Sequence, residues 1–280
     1  MNYKIGFMQG RLSPQDGKKI QSFPWRSWIN EFKKGRDLKF MIIEWTLDYK
    51  NLYKNPLMTQ DGRKKIKFLM KKYNFIIPSL TGDCFMQRPF WKANKQERKI
   101  LQNDFLNILE SSSLVGIKKI VLPLVDNGRI ENKKQKKILI NFLKKINYFL
   151  KKKNIQILFE SDFEPKTYLK FVKQFNKNFF GINYDTGNSA SLGFDPEKEI
   201  LTYGKLIKNI HIKDRKFKGK TVPLGFGDAD FKAIFKNLYK IKYKGNYILQ
   251  TARSSTHRHA LALCNYKEFT KNLLNKYNNV

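Results

Sequence analysis

An eightfold alternation constrains this chain more than any other feature. Eight short β-type runs, at residues 4–8, 40–44, 75–80, 119–122, 155–160, 180–185, 208–212 and 247–250, are each followed by a longer stretch. Most of the runs are nearly continuous in apolar residues, as strands buried on both faces must be. The stretches between them carry helical spacing. Residues 64–73 repeat Ile66, Leu69 and Met70, and residues 96–115 place Ile100, Phe105, Ile108 and Leu109 on one predicted face. Residues 136–150 repeat Ile138, Phe142, Ile146 and Phe149, and residues 230–239 repeat Phe231, Ile234, Phe235 and Leu238. Asp228 or Asp230 suits the cap of that last helix, and Asp195 followed by Pro196 begins another. A final helix is expected near 266–276. Strand–helix units in this number, with short connections and no linker, predict one (β/α)₈ TIM barrel domain over residues 1–280. A dinucleotide fold has little support, because no GxGxxG follows the first strand.

Charge comes next because it is extreme. The formal net charge is +33, from 56 Lys and Arg against 23 Asp and Glu. Nucleic acid or a membrane surface would reward clustered cations. The lysines are instead spread over every segment, mostly as pairs on predicted helix faces such as Lys144-Lys145, and A/T-rich codon usage also favours Lys, Asn, Ile, Phe and Tyr. A solvated lysine coat is the reading adopted, with small anionic substrates the partners that profit from the field. No specific nucleic acid and no membrane is expected, and a homo-oligomer stays open. Two distant cysteines, Cys84 and Cys264, match no metal spacing and fit a reducing cytoplasm. The opening MNYKIGFMQGR does not read as a secretory leader, and no run of about 18 apolar residues is long enough to span a bilayer.

In such a barrel a polar residue that ends a strand points into the mouth where chemistry is done. Here Gln9 and Arg11 follow the first strand and Glu44 ends the second. Ser79, Thr81 and Asp83 lie at the third and Asp126 after the fourth. Glu160 ends the fifth, Asp185 the sixth, His211 lies late in the seventh and Gln250 ends the eighth. Taken singly, each could cap a helix or satisfy a core hydrogen bond. Together, carboxylates on strands five and six and an imidazole on strand seven converge on one point. That set suits one divalent ion, Mn²⁺, Mg²⁺, Co²⁺ or Zn²⁺. Buried carboxylates need such a cation or a basic neighbour.

The segments ILFESD, GINYDTGNSA, NIHIKDR, VPLGFGDADF and YILQTAR, with the opening IGFMQGRLSP and the segment IIEWTL, carry a resemblance. In this order and over most of the chain, they resemble the xylose isomerase-like barrel superfamily. The likeness is nearest its ketose-phosphate epimerases and isomerases, of the L-ribulose-5-phosphate and hexulose-phosphate types. The resemblance implies carbohydrate metabolism and a metal held by a Glu, an Asp, a His and a second Glu. The first three map to Glu160, Asp185 and His211, and the fourth position is Gln250. An amide can still ligate a hard ion through oxygen, but it cannot act as a base. The expected reaction is isomerisation or epimerisation of a sugar or sugar phosphate through an enediolate. Glu160 is the expected base and Glu44 the reserve.

Further substrate contacts are expected around this set. Asn188 follows Asp185 by three residues and is expected to bind substrate. After strand seven come Lys213, Asp214 and Arg215, then Gly225-Phe226-Gly227-Asp228. This loop is expected to close over the substrate, with the Gly225 and Gly227 amides and Arg215 holding a phosphate. Arg253 is a second anion-binding candidate. His257 and His259 read as a solvated loop. An apurinic-site endonuclease on the same fold would need a histidine-rich three-zinc cluster, and the chain has three histidines in all. A sugar-acid or inositol lyase or dehydratase is the alternative reaction. A barrel that binds a sugar without turning it over is the alternative that Gln250 suggests.

Overall fold

The computed structural model describes residues 4–15 and 20–278. The barrel strands are β1 (Ile5–Met8), β2 (Ile43–Thr46), β3 (Ser79–Thr81), β4 (Lys119–Leu124), β5 (Gln156–Ser161), β6 (Phe180–Asp185) and β7 (Ile207–Ile212). A two-residue pair follows, β8 (Asp214–Arg215) and β9 (Thr221–Val222), and β10 (Asn246–Leu249) completes the set. The barrel closes in the order β1-β10-β7-β6-β5-β4-β3-β2, with every neighbour parallel. β8 and β9 pair antiparallel, outside the barrel. The expected TIM-barrel class is therefore the observed one.

The helices form where apolar spacing and caps agree. Thr59 accepts the Gly62 N–H at 3.1 Å to start the helix Gln60–Tyr73, and Asn74 ends it in the left-handed region at φ 55°. Asp230, not Asp228, caps the helix Phe231–Lys240 by accepting the Ala233 N–H at 2.9 Å. Three expectations change, and the first is the closing helix, which runs His259–Asn278 rather than starting near 266. The stretch read as one helix over 136–150 is two, Lys133–Lys145 and Asn147–Lys153, broken at Ile146. In the helix Lys95–Leu114, Leu101 rather than Ile100 faces the core, and Ile100 is 57% exposed. Its apolar residues allow either phase, and the buried stripe runs through Leu101, Phe105, Ile108 and Leu109.

Packing behind the strands is rich in phenylalanine. Phe159, Phe171, Phe175 and Phe180 form one group of rings, with Phe159 and Phe180 stacked at 5.8 Å. Each fully buried ring contributes roughly 1.5–3 kcal/mol. Lys133, Lys134, Lys137, Lys144, Lys145, Lys151 and Lys152 all stand exposed on outer helices, which matches a solvated coat.

One irregularity positions the chemistry. The β6–β7 ladder shifts register between Ile182 and Asn183, so Ile182 pairs Ile207 whereas Asn183 pairs Asn209 and Asp185 pairs His211. Lys208 is the extra residue, and the Lys119 ammonium donates to its carbonyl at 2.6 Å. Gly181 lies against the bulge: a Cβ there would approach Lys208 Cγ at 2.8 Å and Leu206 O at 2.9 Å. The bulge turns Asn209 and His211 to the same side as Asn183 and Asp185.

Candidate active site

A cavity of about 750 Å³ opens at the carboxyl ends of the strands, where Gln21, Asp83, Glu160, Asn188, Arg215 and Gln250 share its wall. A second cavity, about 460 Å³, lies at the opposite end beside Lys4, Tyr243 and Tyr277, and among the described residues no carboxylate or imidazole lines it. Titratable groups that converge in a concave site point to the first.

Glu160, Asp185 and His211 meet beneath that cavity, and one ligand atom from each lies within 4.8 Å of the others. Glu160 Oε2 accepts from Asn183 Nδ2 at 2.7 Å and lies 3.2 Å from His211 Nδ1, while Oε1 accepts from Asn188 Nδ2 at 2.8 Å. Asp185 divides its oxygens. Oδ1 caps the helix Thr186–Leu192 by accepting the Gly187 and Asn188 N–H groups at 2.9 and 2.8 Å. Oδ2 faces Lys213 Nζ at 3.2 Å and His211 Nδ1 at 4.0 Å.

His211 is fully buried, and its second nitrogen, Nε2, lies 2.7 Å from Glu44 Oε1. Burial alone would lower its pKa. The Glu44 charge and hydrogen bonds to Glu160 and Glu44 reverse this and raise it to about 10. Burial pushes Glu44 up, but the His211 charge and hydrogen bonds from His211, Ser79 and Thr81 outweigh it, so Glu44 is lowered.

Glu44 does not suit the role of reserve base. Its Oε1 accepts from Thr81 and contacts His211, and its Oε2 accepts from Ser79 and Asn209. Both oxygens are committed inside the barrel, and Glu44 is not exposed to the cavity. What it can do is hold the imidazole ring so that Nδ1 faces the two carboxylates.

The donor set fits a divalent ion. Oxygen and imidazole ligands lie about 2.0–2.2 Å from such ions, so they sit within about 4.4 Å of one another. A small contraction of the observed cluster satisfies this. Gln250 adds a further sign. Its Nε2 donates to Gln21 Oε1 at 2.9 Å, and its Oε1 is buried with no protein partner among the described residues. An orphaned amide oxygen of this kind is a suitable fourth ligand.

Asn188 links the cluster to the cationic wall. Its Oδ1 accepts from Lys213 Nζ at 3.1 Å and from Arg215 Nη1 at 3.0 Å. Arg215 is fixed from the other side, its Nε and Nη2 donating to Gly219 O at 3.1 and 2.9 Å. Arg253 lines the cavity and donates to Ile20 O at 3.1 Å and Ser13 O at 2.9 Å.

The Gly225 and Gly227 amides are not available to a phosphate. Both donate to Asp214 Oδ2 at 2.9 Å, and the Ala229 N–H donates to Oδ1 at 3.2 Å. Asp214 is itself fully buried, and a Cβ on Gly227 would lie 1.9 Å from its Oδ1. The loop's glycines admit a carboxylate of the chain itself.

Several residues of the site went unread in the sequence. Gln21 joins Asp83, Gln250 and Arg11, through contacts of 2.6, 2.9 and 3.3 Å. Glu31 accepts the Gly10 and Leu12 N–H groups and ties the loop after β1 to the helix Trp28–Asp37. Asn183 and Asn209 had a readable signal: each precedes a site residue by two in an otherwise apolar strand, and so shares its face. His257 and His259 lie 6.1 Å apart between ring centres and join no third acidic or imidazole ligand among the described residues.

Known proteins agree with this architecture. The family profile of the xylose isomerase-like TIM barrel matches residues 32–267. The Escherichia coli (strain K12) protein SgbU, whose name carries a provisional L-ribulose-5-phosphate 3-epimerase assignment, is 32% identical over 79 residues. That match covers 26% of this chain and 28% of the relative's length. D-allulose 3-epimerase from Methylomonas sp., solved in complex with D-allulose, superimposes with a TM-score of 0.75 over 96% of each chain at 14% identity. The IOLI protein, solved with a zinc atom, gives 0.76 at 16% identity, covering 98% of this chain and 99% of its own. No helix among the described residues is long and apolar enough to cross a membrane. The profile match takes in most of the chain and agrees with the closed parallel barrel, so the protein belongs to the xylose isomerase-like TIM barrel family.

Proposed function

We propose that residues 1–280 form a single cytoplasmic barrel domain that isomerises or epimerises a sugar or sugar phosphate, with one divalent metal ion as cofactor. The observation that carries this reading is the convergence of Glu160, Asp185 and His211 Nδ1 beneath a polar cavity at the strand ends. The provisional ribulose-phosphate epimerase assignment of SgbU and the sugar bound by the Methylomonas enzyme support the substrate class.

Glu160, Asp185, His211 and the Gln250 amide oxygen would hold the ion. When bound, it supplies Lewis acidity for the oxygens flanking the reacting C–H. Glu160 takes the proton next to the carbonyl, its Oε1 lying on the Asn188 side of the cluster. Asn183 and Asn188 fix the carboxylate. Lys213 and Arg215 place positive charge where the substrate becomes an enediolate, an arrangement that stabilises charge only as it develops. Arg215 and Arg253 are the groups for an anionic end of the substrate.

The test is a deuterium wash-in screen. Purified protein with Mn²⁺, Mg²⁺, Co²⁺ or Zn²⁺ is incubated in D₂O with ketoses, aldoses and their phosphates. Label should enter beside the carbonyl of at least one, and Glu160→Gln should abolish it. No label in any sugar with any ion overturns the reading.

A further inference from the structure

We infer that Asp83 is the second acid–base group of the site, delivering a proton to the enediolate from the β3 side of the cavity while Glu160 works from the β5 side. The inference rests on the proposed proton-abstraction chemistry and adds to it a residue that the metal cluster does not use.

The need is chemical. Inverting a carbon through an enediolate requires a proton removed on one face and returned on the other, and one carboxylate does not reach both. Gln250 cannot give or take a proton there. Among the described residues, three carboxylates line the cavity, Asp83, Asp126 and Glu160. Asp126 is exposed on the rim, while Asp83 is 7% exposed.

Asp83 opens the short helix Asp83–Gln87, just past the end of β3. No lysine or arginine is ion-paired with it among the described residues. Among the described residues its carboxylate has one hydrogen-bond partner, an amide: Gln21 Nε2 donates to Oδ2 at 2.6 Å. Gln21 is held in turn, its Oε1 accepting from Gln250 Nε2 at 2.9 Å and from Arg11 Nη2 at 3.3 Å. The amide chain Gln250–Gln21–Asp83 therefore fixes the carboxyl group in the cavity wall at the end of β3. Burial raises the Asp83 carboxyl, the Gln21 hydrogen bond opposes it, and Asp48 and Glu160 raise it further, to about 7. A carboxyl group so placed is divided between its protonated and ionised forms near neutral pH and can give up a proton and take it back, as an acid–base group must.

The step balances without another reactant. Glu160 accepts the proton as the C–H bond breaks, and that electron pair forms the C=C bond while the carbonyl pair moves onto oxygen. The C=C pair then takes the Asp83 proton, the C=O bond re-forms, and Asp83 is left ionised with Glu160 protonated. Exchange with water, or reaction in the reverse direction, restores both.

The experiment uses the full chain, metal-loaded, with a substrate found by the wash-in screen. Asp83→Asn keeps the contact with Gln21 and removes the acid. Turnover is expected to fall about 10²–10⁴-fold. Deuterium entry into the epimer deprotonated by Glu160 should stay within a few-fold of the parent, and entry into the opposite epimer should be lost. Asp83→Glu should recover part of the turnover. Asp83→Ser serves the same comparison where the Asn variant does not fold. Turnover within about threefold of the parent, or loss of exchange in both epimers, overturns the inference. Absence of exchange in the parent protein sinks the proposed function instead, so the two failures are distinguishable.

Discussion

His211 Nε2 lies 2.7 Å from Glu44 Oε1, and this one contact decides which imidazole nitrogen faces the carboxylates of Glu160 and Asp185. A histidine fixed at one nitrogen by a buried carboxylate presents the other as a directed, more basic ligand. Glu44→Gln, which keeps the size but loses the charge, is expected to weaken divalent-metal affinity about 10–100-fold. Titration followed by calorimetry checks this. Unchanged affinity would show that the ring needs no such support.

The same contact sets a pH dependence. His211 is raised to about 10 in the metal-free protein, well above its ordinary 6.5. The folded state therefore holds an extra proton between those values. Its stabilising contribution is complete below pH 6.5 and is lost as pH rises through about 10. Metal binding must expel that proton, so affinity should rise with pH across this window, with about one proton released per ion at pH 8. Calorimetry in buffers of different ionisation enthalpy counts the protons, and a count near zero would contradict the assignment.

Gln250→Glu replaces a neutral oxygen ligand with an anionic one at the orphaned position. Metal affinity is expected to increase by at least tenfold, because a hard divalent ion gains a formal charge interaction. If the variant binds no more tightly, Gln250 lies outside the coordination sphere.

Arg215 is held by Gly219 and Asn188 but still lines the cavity. Arg215→Ala should raise KM for a phosphorylated sugar about tenfold more than for its unphosphorylated counterpart, the equivalent of one lost charge-assisted hydrogen bond. Equal losses for both ligands would argue that Arg215 recognises no phosphate.

Gly227→Ala tests the loop that encloses Asp214. With a Cβ placed 1.9 Å from Asp214 Oδ1, the loop must open or the carboxylate must move. A loss of about 1–3 kcal/mol in stability is expected, measured by urea unfolding. Arg215 follows Asp214 directly, so KM should rise as well. An unperturbed unfolding midpoint would mean that the loop relaxes freely.

The sequence made the architecture legible to different degrees along the barrel. The boundaries of β6, Phe180–Asp185, were read as found. β2 and β3 were placed too early, at 40–44 and 75–80 against Ile43–Thr46 and Ser79–Thr81. The apolar runs there begin before the pairing does. Phe40 and Phe75 are buried, each packing against Phe7, and only a lone bridge joins Ile42 to Ile76. The β8–β9 pair, two residues on each side with Val222 its one apolar member, is too short to leave a pattern.

Site residues divide in the same way. Glu160, Asp185, His211 and Gln250 were visible because strand ends are few and their polar residues conspicuous. Gln21 was not, since its partners Asp83 and Gln250 lie 62 and 229 residues away. Asp214 was passed over for the glycines that surround it. A G-x-G pattern advertises free amides, whereas the carboxylate that consumes them stands 11 and 13 residues earlier.

The extra residue in β7 has a consequence for anyone transplanting this chemistry. From the Ile182–Ile207 pair, a straight ladder would set Ile210 opposite Asp185 and turn His211 outward to the helices. An idealised scaffold carrying all the right letters at this spacing would thus be inert. A working graft has to copy the kink, together with Gly181 beside it and the Lys119 prop beneath, before the ligand residues have anything to gather around.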